Sequence, residues 1–439
     1  MQQNLENYYP KEIATILTEN DITEANTAKL RNYFLNPDRF DINKRTIIFS
    51  TPSRTGTSFF RIELPMFAIA KNYPEKFNIV YADNNLNAKH LEIANLIVAH
   101  RAGHLHEWMH SVMKAWPKNK KRPVILHDVD DNEFNLPNSH SMKTMWLEAG
   151  KDKMSIRSIK ESDYVTTTGR KLYQTFSQFN NKVEIFPNMF DWDQPQWSIK
   201  RSTPAKENKI VIGWVGLTSH FEDLKKMSPI LKYIHDKYPN TEFILAGMAL
   251  KDTMVNITLD SNNNKVFKEE EVTDEKLTYK YRVKELYKDF DQTRIQFFDA
   301  VNLEEYAKFY AMLDISLCYI EKNTFNQCKS PIKAIEGMYY NNIVISTNFG
   351  GYNDLFKVLP EDAKHRHHFI DSEFTNPWKE ALEFWVNNFQ LGLEYAKKQS
   401  EFVKHYYNIN ENIVKRIEFY NEIIEKHEEK EMFTINQLI

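Results

Sequence analysis

Lys329, Lys333 and Glu336, in FNQCKSPIKAIEGMYY, are separated by four and then three residues, so a helix containing them carries all three on one face. Pro331 suits the first turn of that helix and Ser330 its cap. A carboxylate there can hold a ribose diol and the lysines can neutralise a diphosphate; a solvated stripe of ion pairs is the plainer alternative. Gly350 and Gly351 follow the next apolar run and can fold a tight loop toward the same place, with Asn326 just upstream. In GWVGLTSHFEDL an apolar run ends at Gly216 and passes through Thr218 and His220 into a helix, which suits phosphate contact or a simple strand-to-helix turn. Past a second apolar run, VILHDVDDNEF gathers His127, Asp128, Asp130, Asp131 and Glu133, which could serve as general bases, metal ligands or a solvated capping turn. Arg54-Thr55-Gly56-Thr57-Ser58 is a hydroxyl-rich loop after the first strand. The densest basic run, WPKNKKRP with Lys120 and Lys121, suits an anionic acceptor, nucleic acid included, or a solvated loop.

Short β-branched runs position these groups. RTIIFS, FNIVYAD, ANLIVAHR, PVILHDV, DYVTTT and KVEIF read as strands separated by helices and polar loops, and the alternation restarts with KIVIGWVG, TEFILAG, RIQFFDA, DISLCYI and NIVIST. Strand alternating with helix predicts α/β architecture: two doubly wound, Rossmann-like domains facing a cleft, with ligands at the carboxyl ends of the strands. The expected boundaries are a helical segment over 1–45, a first domain over 46–200, a second over 205–372 with an insertion at 252–292, and a helical tail over 373–439. The insertion reads as a hairpin turning at Asn262–Asn264, and the Pro-rich stretch 192–208 as a linker.

Composition narrows the class. Of 439 residues, 42% are apolar, which excludes wholesale disorder, and no apolar run reaches the ~18 residues of a spanning helix. The N-terminus lacks the pattern of a signal peptide, and no His/Cys spacing among the two cysteines and 14 histidines reads as zinc. A cytoplasmic protein, in a bacterium or a phage-infected host, without an integral membrane segment is expected. The net charge of −3 hides a split: residues up to Pro204 carry +4 and the remainder −7.

Together these pieces resemble the GT-B glycosyltransferases, in the family-4-like group of retaining, nucleotide-sugar-dependent enzymes of bacteria and phages. The resemblance runs from about Ile47 to Leu355 and is carried by RTGTSFFRIELP, HDVDDNEFNLP, DYVTTTGRKL, FPNMFDWDQPQW, IGWVGLTSHFEDL, YAKFYAMLDISLCYI, FNQCKSPIKAIEG and FGGYNDL. It implies a nucleoside diphosphate sugar as donor, a UDP-sugar first, held by the second domain, with no cofactor or metal. Glu336 would grip the ribose, and Lys329 and Lys333 the pyrophosphate or sugar. Gly56, Thr57, Gly216, Thr218, His220, Asn326, Ser330, Gly350 and Gly351 would line the donor site. His127, Asp128 and Asp130 would be the catalytic residues, near the transferred sugar, and Arg54, Arg61, Lys120, Lys121 and Asp131 would meet the acceptor. Retention would let a donor phosphate oxygen help deprotonate the acceptor hydroxyl. The acceptor would be a glycan, lipid-linked or not, or a hydroxymethylated DNA base. Two departures stand out. Cys328 lies where the group carries the first of two glutamates, and Leu217 and His220 stand near the places of its Arg and Lys after the GxxG turn. A non-catalytic sugar-nucleotide-binding subunit and a nucleotide-sugar epimerase are the alternatives.

Overall fold

The computed structural model describes residues 11, 15, 41, 43–52, 55–82, 86–101, 103–118, 120–138, 143–201, 209–249, 253–259, 265–438. The chain forms two compact units. One gathers the described parts of 1–134, 151–195 and 406–439; the other holds 135–150 and 196–405.

The first unit is built on a parallel six-stranded sheet. Its strands are β1 (Arg45–Ser50), β2 (Phe77–Ala82), β3 (Leu96–His100), β4 (Val124–Val129), β5 (Tyr164–Thr167) and β6 (Val183–Ile185), in the order β2-β1-β3-β4-β5-β6. Strand order reverses between β1 and β3, and the carboxyl ends there form the crevice where doubly wound sheets take ligands. β4 is buried at every residue, as a central strand covered on both faces must be. After β1, Thr55 caps the next helix: its side chain accepts from Ser58 N–H at 3.3 Å while Ser58 Oγ accepts from Thr55 N–H at 2.7 Å. A π-helical turn over Phe59–Glu63 then leads into the helix Leu64–Asn72, and every residue of that turn is buried.

The second unit repeats the plan with β7 (Ile210–Val215), β8 (Thr241–Met248), β11 (Ile295–Asp299), β12 (Ile315–Cys318), β13 (Ile343–Thr347) and β14 (Phe369–Ile370). Its order is β11-β8-β7-β12-β13-β14, parallel throughout, and the reversal falls between β7 and β12. Among the described residues β9 (Thr253–Leu259) and β10 (Lys265–Glu271) pair only with each other, antiparallel. The expected turn at 262–264 lies outside the described residues, as does nearly all of the expected helical segment over 1–45. The core beneath this sheet contains Trp214, Tyr287, Trp378 and Trp385, all almost fully buried. Each such aromatic removes about 150–250 Å² from water, so a few of them dominate the hydrophobic contribution. The helices Thr375–Asn387 and Phe389–Tyr406 belong to this unit, whereas the final helix, Ile409–Leu438, belongs to the first. No helix among the described residues is long and apolar enough to cross a membrane.

Candidate functional site

In the second unit the expected donor residues converge on the β7/β12 reversal. β7 ends at Val215, Gly216 follows, and a 3-10 turn over Thr218–His220 opens the helix Phe221–Lys237, leaving Thr218 exposed. The helix Ile332–Tyr339 brings Lys333 to the same place, with Nζ 4.5 Å from the centroid of the Trp214 ring. Nζ is buried and has no hydrogen-bond partner among the described residues. Burial therefore pulls this ammonium down to about 8, against the opposing pull of Asp223. The close approach explains the glycine, since a Cβ on residue 216 would lie 2.6 Å from Lys333 Nζ and 2.5 Å from the Trp214 ring.

His220 Nδ1 lies 2.6 Å from Asp223 Oδ2, and Asp223 Oδ1 accepts from Glu321 N–H at 2.9 Å, so the turn after β7 is tied to the loop after β12. Burial, reinforced by nearby Lys333, pushes the His220 imidazole down to about 4 and keeps it neutral. Gly350 has φ +56, and a Cβ there would strike Gln327 O at 2.3 Å; at Gly351 it would strike Lys329 O at 2.4 Å. The two glycines thus seat their loop against the turn carrying Asn326 and Lys329, as their spacing suggests. Asn326 Nδ2 donates to Glu321 O at 2.9 Å, and Lys329 Nζ sits 4.6 Å from the centre of the Phe325 ring. Cys328 is buried, its thiol 3.6 Å from Thr324 O.

Two expectations shift here. The helix starts at Ile332 with Pro331 at its cap position and no side-chain capping bond, so Ser330 is not the cap. Glu336 is 2% exposed and accepts from the Tyr306 hydroxyl, with Tyr310 as a second hydroxyl neighbour. Burial raises its carboxyl to about 7, against these hydrogen bonds and Lys333.

In the first unit β4 divides the expected residues between its two faces. Asp128 is fully buried and gripped by Arg61, with Nε to Oδ1 at 2.6 Å and Nη2 to Oδ2 at 2.8 Å. Thr166 Oγ1 donates to Asp128 at 2.6 Å, and Arg61 Nη1 donates to Phe186 O at 2.6 Å and to Asn188 Oδ1 at 3.1 Å. Burial opposes the charge on each partner, but each holds the other ionised: Asp128 stays low and Arg61 high. Arg61, expected to meet an acceptor, and Asp128, expected beside the transferred sugar, are instead occupied with each other inside the core. His127 is equally buried, and neither ring nitrogen makes a well-formed hydrogen bond; burial, then His106 and its neighbours, hold the ring neutral.

Asp130 and Asp131 lie past the end of β4, at the carboxyl edge. Arg101, at φ 61, reaches Asp130 at 3.5 Å, Asp131 at 3.2 Å and Glu133 at 3.4 Å, while His100 Nε2 lies 3.4 Å from Asp130. A non-glycine residue held in this left-handed conformation marks stored strain, which concentrates at functional sites. His106 Nδ1 lies 2.5 Å from Arg101 O and its Nε2 3.4 Å from Ser50 Oγ. Burial opposes the Asp130 charge, yet Arg101 and His100 keep it well below the usual range. Glu133 goes the other way, raised by burial to about 7. No spacing in the sequence marks His100, Arg101 and His106: ANLIVAHR reads as a strand, but the strand order that brings its end beside the reversal emerges only in the folded sheet.

Lys120 and Lys121 precede β4, at the amino edge of the sheet and away from Asp130. Lys121 pairs with Glu428 at 2.5 Å and Arg122 grips Asp163 twice at 2.7 Å. These expected acceptor contacts are placed at the opposite edge from the acids. Gly56 and Thr57 lie in the capped turn after β1, where Thr57 Oγ1 is 2.9 Å from Thr55 Oγ1. Arg54 lies outside the described residues. Those residues contain no group of three or more His, Cys, Asp or Glu arranged to hold a metal ion.

No protein-family model matches the sequence. No curated protein matches it either. Solved structures do. A glycosyltransferase from Rickettsia africae ESF-5 aligns with TM-score 0.56 and 15% identity over 87% of this chain and 99% of its own. Trehalose-6-phosphate synthase OtsA of E. coli, bound with UDP-2-fluoro glucose, aligns with TM-score 0.54 and 9% identity over 87% and 98%. The catalytic domain of starch synthase IV from Arabidopsis thaliana, bound to ADP and acarbose, aligns with TM-score 0.50 and 11% identity over 76% and 73%. The fold is that of the GT-B glycosyltransferases, two Rossmann-like units with a C-terminal helical segment.

Proposed function

We propose that the protein is a glycosyltransferase that moves a sugar, with retention, from a nucleoside diphosphate sugar (a UDP-sugar in the first instance) to an acceptor hydroxyl. One observation carries this reading: a buried ammonium, Lys333 Nζ, lies against the Trp214 ring and the glycine that follows β7 with no hydrogen-bond partner among the described residues. An isolated buried cation is costly, and a diphosphate at the strand reversal supplies its missing counter-charge. The fold likeness to proteins recorded with UDP-2-fluoro glucose and with ADP supports the same donor class.

In this reading Lys333 and Lys329 neutralise the diphosphate, and the Gly216–His220 turn approaches it through its backbone. Glu336 exchanges a tyrosine hydroxyl for a ribose hydroxyl. Asn326, Ser330 and the Gly350–Gly351 loop face the sugar, doing what the glutamate replaced by Cys328 does in the group this chain resembles. The acceptor oxygen bonds to the anomeric carbon, the bond from that carbon to the phosphate oxygen breaks, and the proton passes to a phosphate oxygen. Of the acids after β4, Asp130, Asp131 and Glu133 remain for the acceptor, whether glycan or hydroxymethylated base, because Asp128 is committed to Arg61.

Calorimetry with UDP, ADP and GDP, followed by mass spectrometry of a sugar-nucleotide panel, tests the proposal. Saturable nucleotide binding that weakens at least tenfold in Glu336→Ala is expected, together with slow donor hydrolysis. Binding indifferent to that variant would remove Glu336 from the donor site. A second reading, a non-catalytic sugar-nucleotide-binding subunit, is favoured by the buried thiol of Cys328 where a carboxylate is expected. It predicts nucleotide binding with every donor left intact.

A further inference from the structure

We propose that Trp197 and Tyr306 are positioning residues of the donor site: Trp197 holds the Tyr306 ring, and the Tyr306 hydroxyl in turn holds the Glu336 carboxylate ready to accept from a ribose hydroxyl. The inference rests on the transferase reading above and deepens its account of the donor half.

Glu336 is a long side chain on the helix Ile332–Tyr339, buried at 2% exposure. Two hydroxyls face it, both from the neighbouring helix Ala307–Ala311. Tyr306, at the cap position of that helix, donates to Oε1, and Tyr310, one turn on, is the second neighbour. A carboxylate accepts about four hydrogen bonds, so Tyr306 can stay on Oε1 while a ribose hydroxyl takes the place of Tyr310.

Tyr306 is held from behind by Trp197. The two rings meet edge-on, with centroids 6.0 Å apart and an interplanar angle of 86°, a geometry that adds attraction beyond simple burial. Trp197 also packs against Tyr339 at 5.5 Å and Tyr340 at 6.3 Å, and is itself 2% exposed. Its backbone is fastened by the same tyrosines: the Tyr339 hydroxyl donates to Trp197 O at 3.0 Å and the Tyr340 hydroxyl to Gln196 O at 3.2 Å. Tyr339 and Tyr340 end the helix that carries Glu336. A few residues on, Arg201 donates to Asp314 at 2.7 Å, to Asn341 O at 3.1 Å and to Leu313 O at 3.3 Å. The stretch expected to be a linker is thus pinned to the second unit, directly behind the carboxylate. The chain passes from one unit to the other between Pro195 and Gln196, so the joint itself supplies the backing of the site.

The hydroxyl also acts on charge. Burial raises the Glu336 carboxyl to about 7, and donation from Tyr306 works against that rise by favouring the ionised form. The other groups facing Glu336 are Lys333 on its own helix, Tyr340 at the end of that helix, Cys318 at the end of β12 and Tyr352 on the helix Gly351–Val358. Only the ionised carboxylate offers both oxygens to donors. UDP affinity should therefore climb as pH rises through about 7, before the decline set by Lys333 near 8.

The test is calorimetry of UDP binding to the full chain from about pH 5.5 to 9, with the ionisation of UDP itself common to every curve. Tyr306→Phe keeps the ring against Trp197 and removes only the donor. It should move the acid-side midpoint up by about one pH unit, weakening binding about fivefold at pH 7 with a loss that shrinks toward pH 8.5. Trp197→Leu should move the midpoint in the same direction. Trp197→Phe, which keeps a smaller ring edge and serves if Trp197→Leu does not fold, should give a partial shift. Added to Tyr306→Phe, either Trp197 variant should bring no further shift, because Trp197 acts through that hydroxyl. A loss in Tyr306→Phe that is the same at every pH, or no loss, would overturn the proposal and leave the donor reading standing. So would Trp197 and Tyr306 shifts that add in full. If the unaltered protein binds no UDP, or binds it regardless of Glu336→Ala, the donor assignment itself falls and this inference with it.

Discussion

The Lys333 ammonium occupies the space that a side chain at Gly216 would need: a Cβ built on that glycine comes within 2.6 Å of Nζ. Strand, turn and helix are fitted around one buried charge that makes no hydrogen bond among the described residues.

Gly216→Ala should therefore damage the site from the backbone side. The new methyl meets the Trp214 ring as well as Lys333, and the ring is core-packed and cannot retreat. A loss of about 1–3 kcal/mol in unfolding free energy is expected from overpacking, with UDP affinity reduced at least tenfold. Chemical denaturation and calorimetry read the two effects separately. Unchanged stability would mean that the turn relaxes freely.

Lys333→Met should separate stability from binding. It keeps the approximate length of the side chain and removes a buried charge that lacks a hydrogen-bonded counter-ion, so the nucleotide-free protein should be equally stable or more stable, by up to about 1–3 kcal/mol. Nucleotide binding should fall at least tenfold. A variant that melts lower and binds normally would show that the ammonium is structural.

The same lysine sets a pH dependence. With its pKa near 8, the cation is largely present at neutral pH and lost above about 8, so UDP affinity should decline as pH rises through that value. Stability runs oppositely. The unfolded lysine titrates near ~10.4, so between about 8 and 10.4 the unfolded chain binds more protons and this group makes the nucleotide-free protein more stable as pH rises. Lys333→Met should flatten both profiles.

Glu336 and Glu133 give a window at lower pH. Both carboxyls are raised to about 7 by burial, so the native state binds more protons than the unfolded state from about 4.5 to 7. Their contribution to stability is complete below that window and is lost as pH rises through it. Glu336→Gln, whose amide oxygen can still accept from Tyr306, should remove part of the decline. Urea titrations from pH 4.5 to 8 measure it, and an unchanged slope would contradict the assignment.

Asp128→Ala should act on folding and not on chemistry. It leaves the fully buried Arg61 guanidinium without its carboxylate, a loss of about 3–5 kcal/mol. The soluble fraction should retain nucleotide affinity within twofold. A well-folded but inactive variant would restore Asp128 to the catalytic set.

Much of the architecture is legible in the sequence because parallel strands buried on both faces are written as short β-branched runs such as KIVIGWVG and PVILHDV. The Lys329, Lys333, Glu336 stripe is legible only in part: Lys333 and Glu336 lie on the helix Ile332–Tyr339, whereas Lys329 stands before it in extended backbone, because Pro331 delays the helix start. The Arg61–Asp128 pair is not legible. Its members are 67 residues apart and meet only after a π-helical turn rotates Arg61 inward. Charge counting misjudges Lys120 and Lys121 because a tally cannot distinguish the two edges of a sheet. Tyr306, bonded to Glu336, carries no pattern of its own; only the folded helix beside Ala307–Ala311 brings the hydroxyl to the carboxylate.

The final helix has a consequence for biosynthesis. Arg45, which opens the first strand, is bonded to Asn421, 376 positions later, and Tyr420 packs 6.4 Å from Phe49. Arg416 comes within 3.8 Å of Asp128. The amino-terminal unit therefore lacks a wall of its core until the helix Ile409–Leu438 has been synthesised, whereas residues 196–405 are complete earlier. Maturation is expected to run against the order of synthesis, with the later-made sheet settling before the first is sealed.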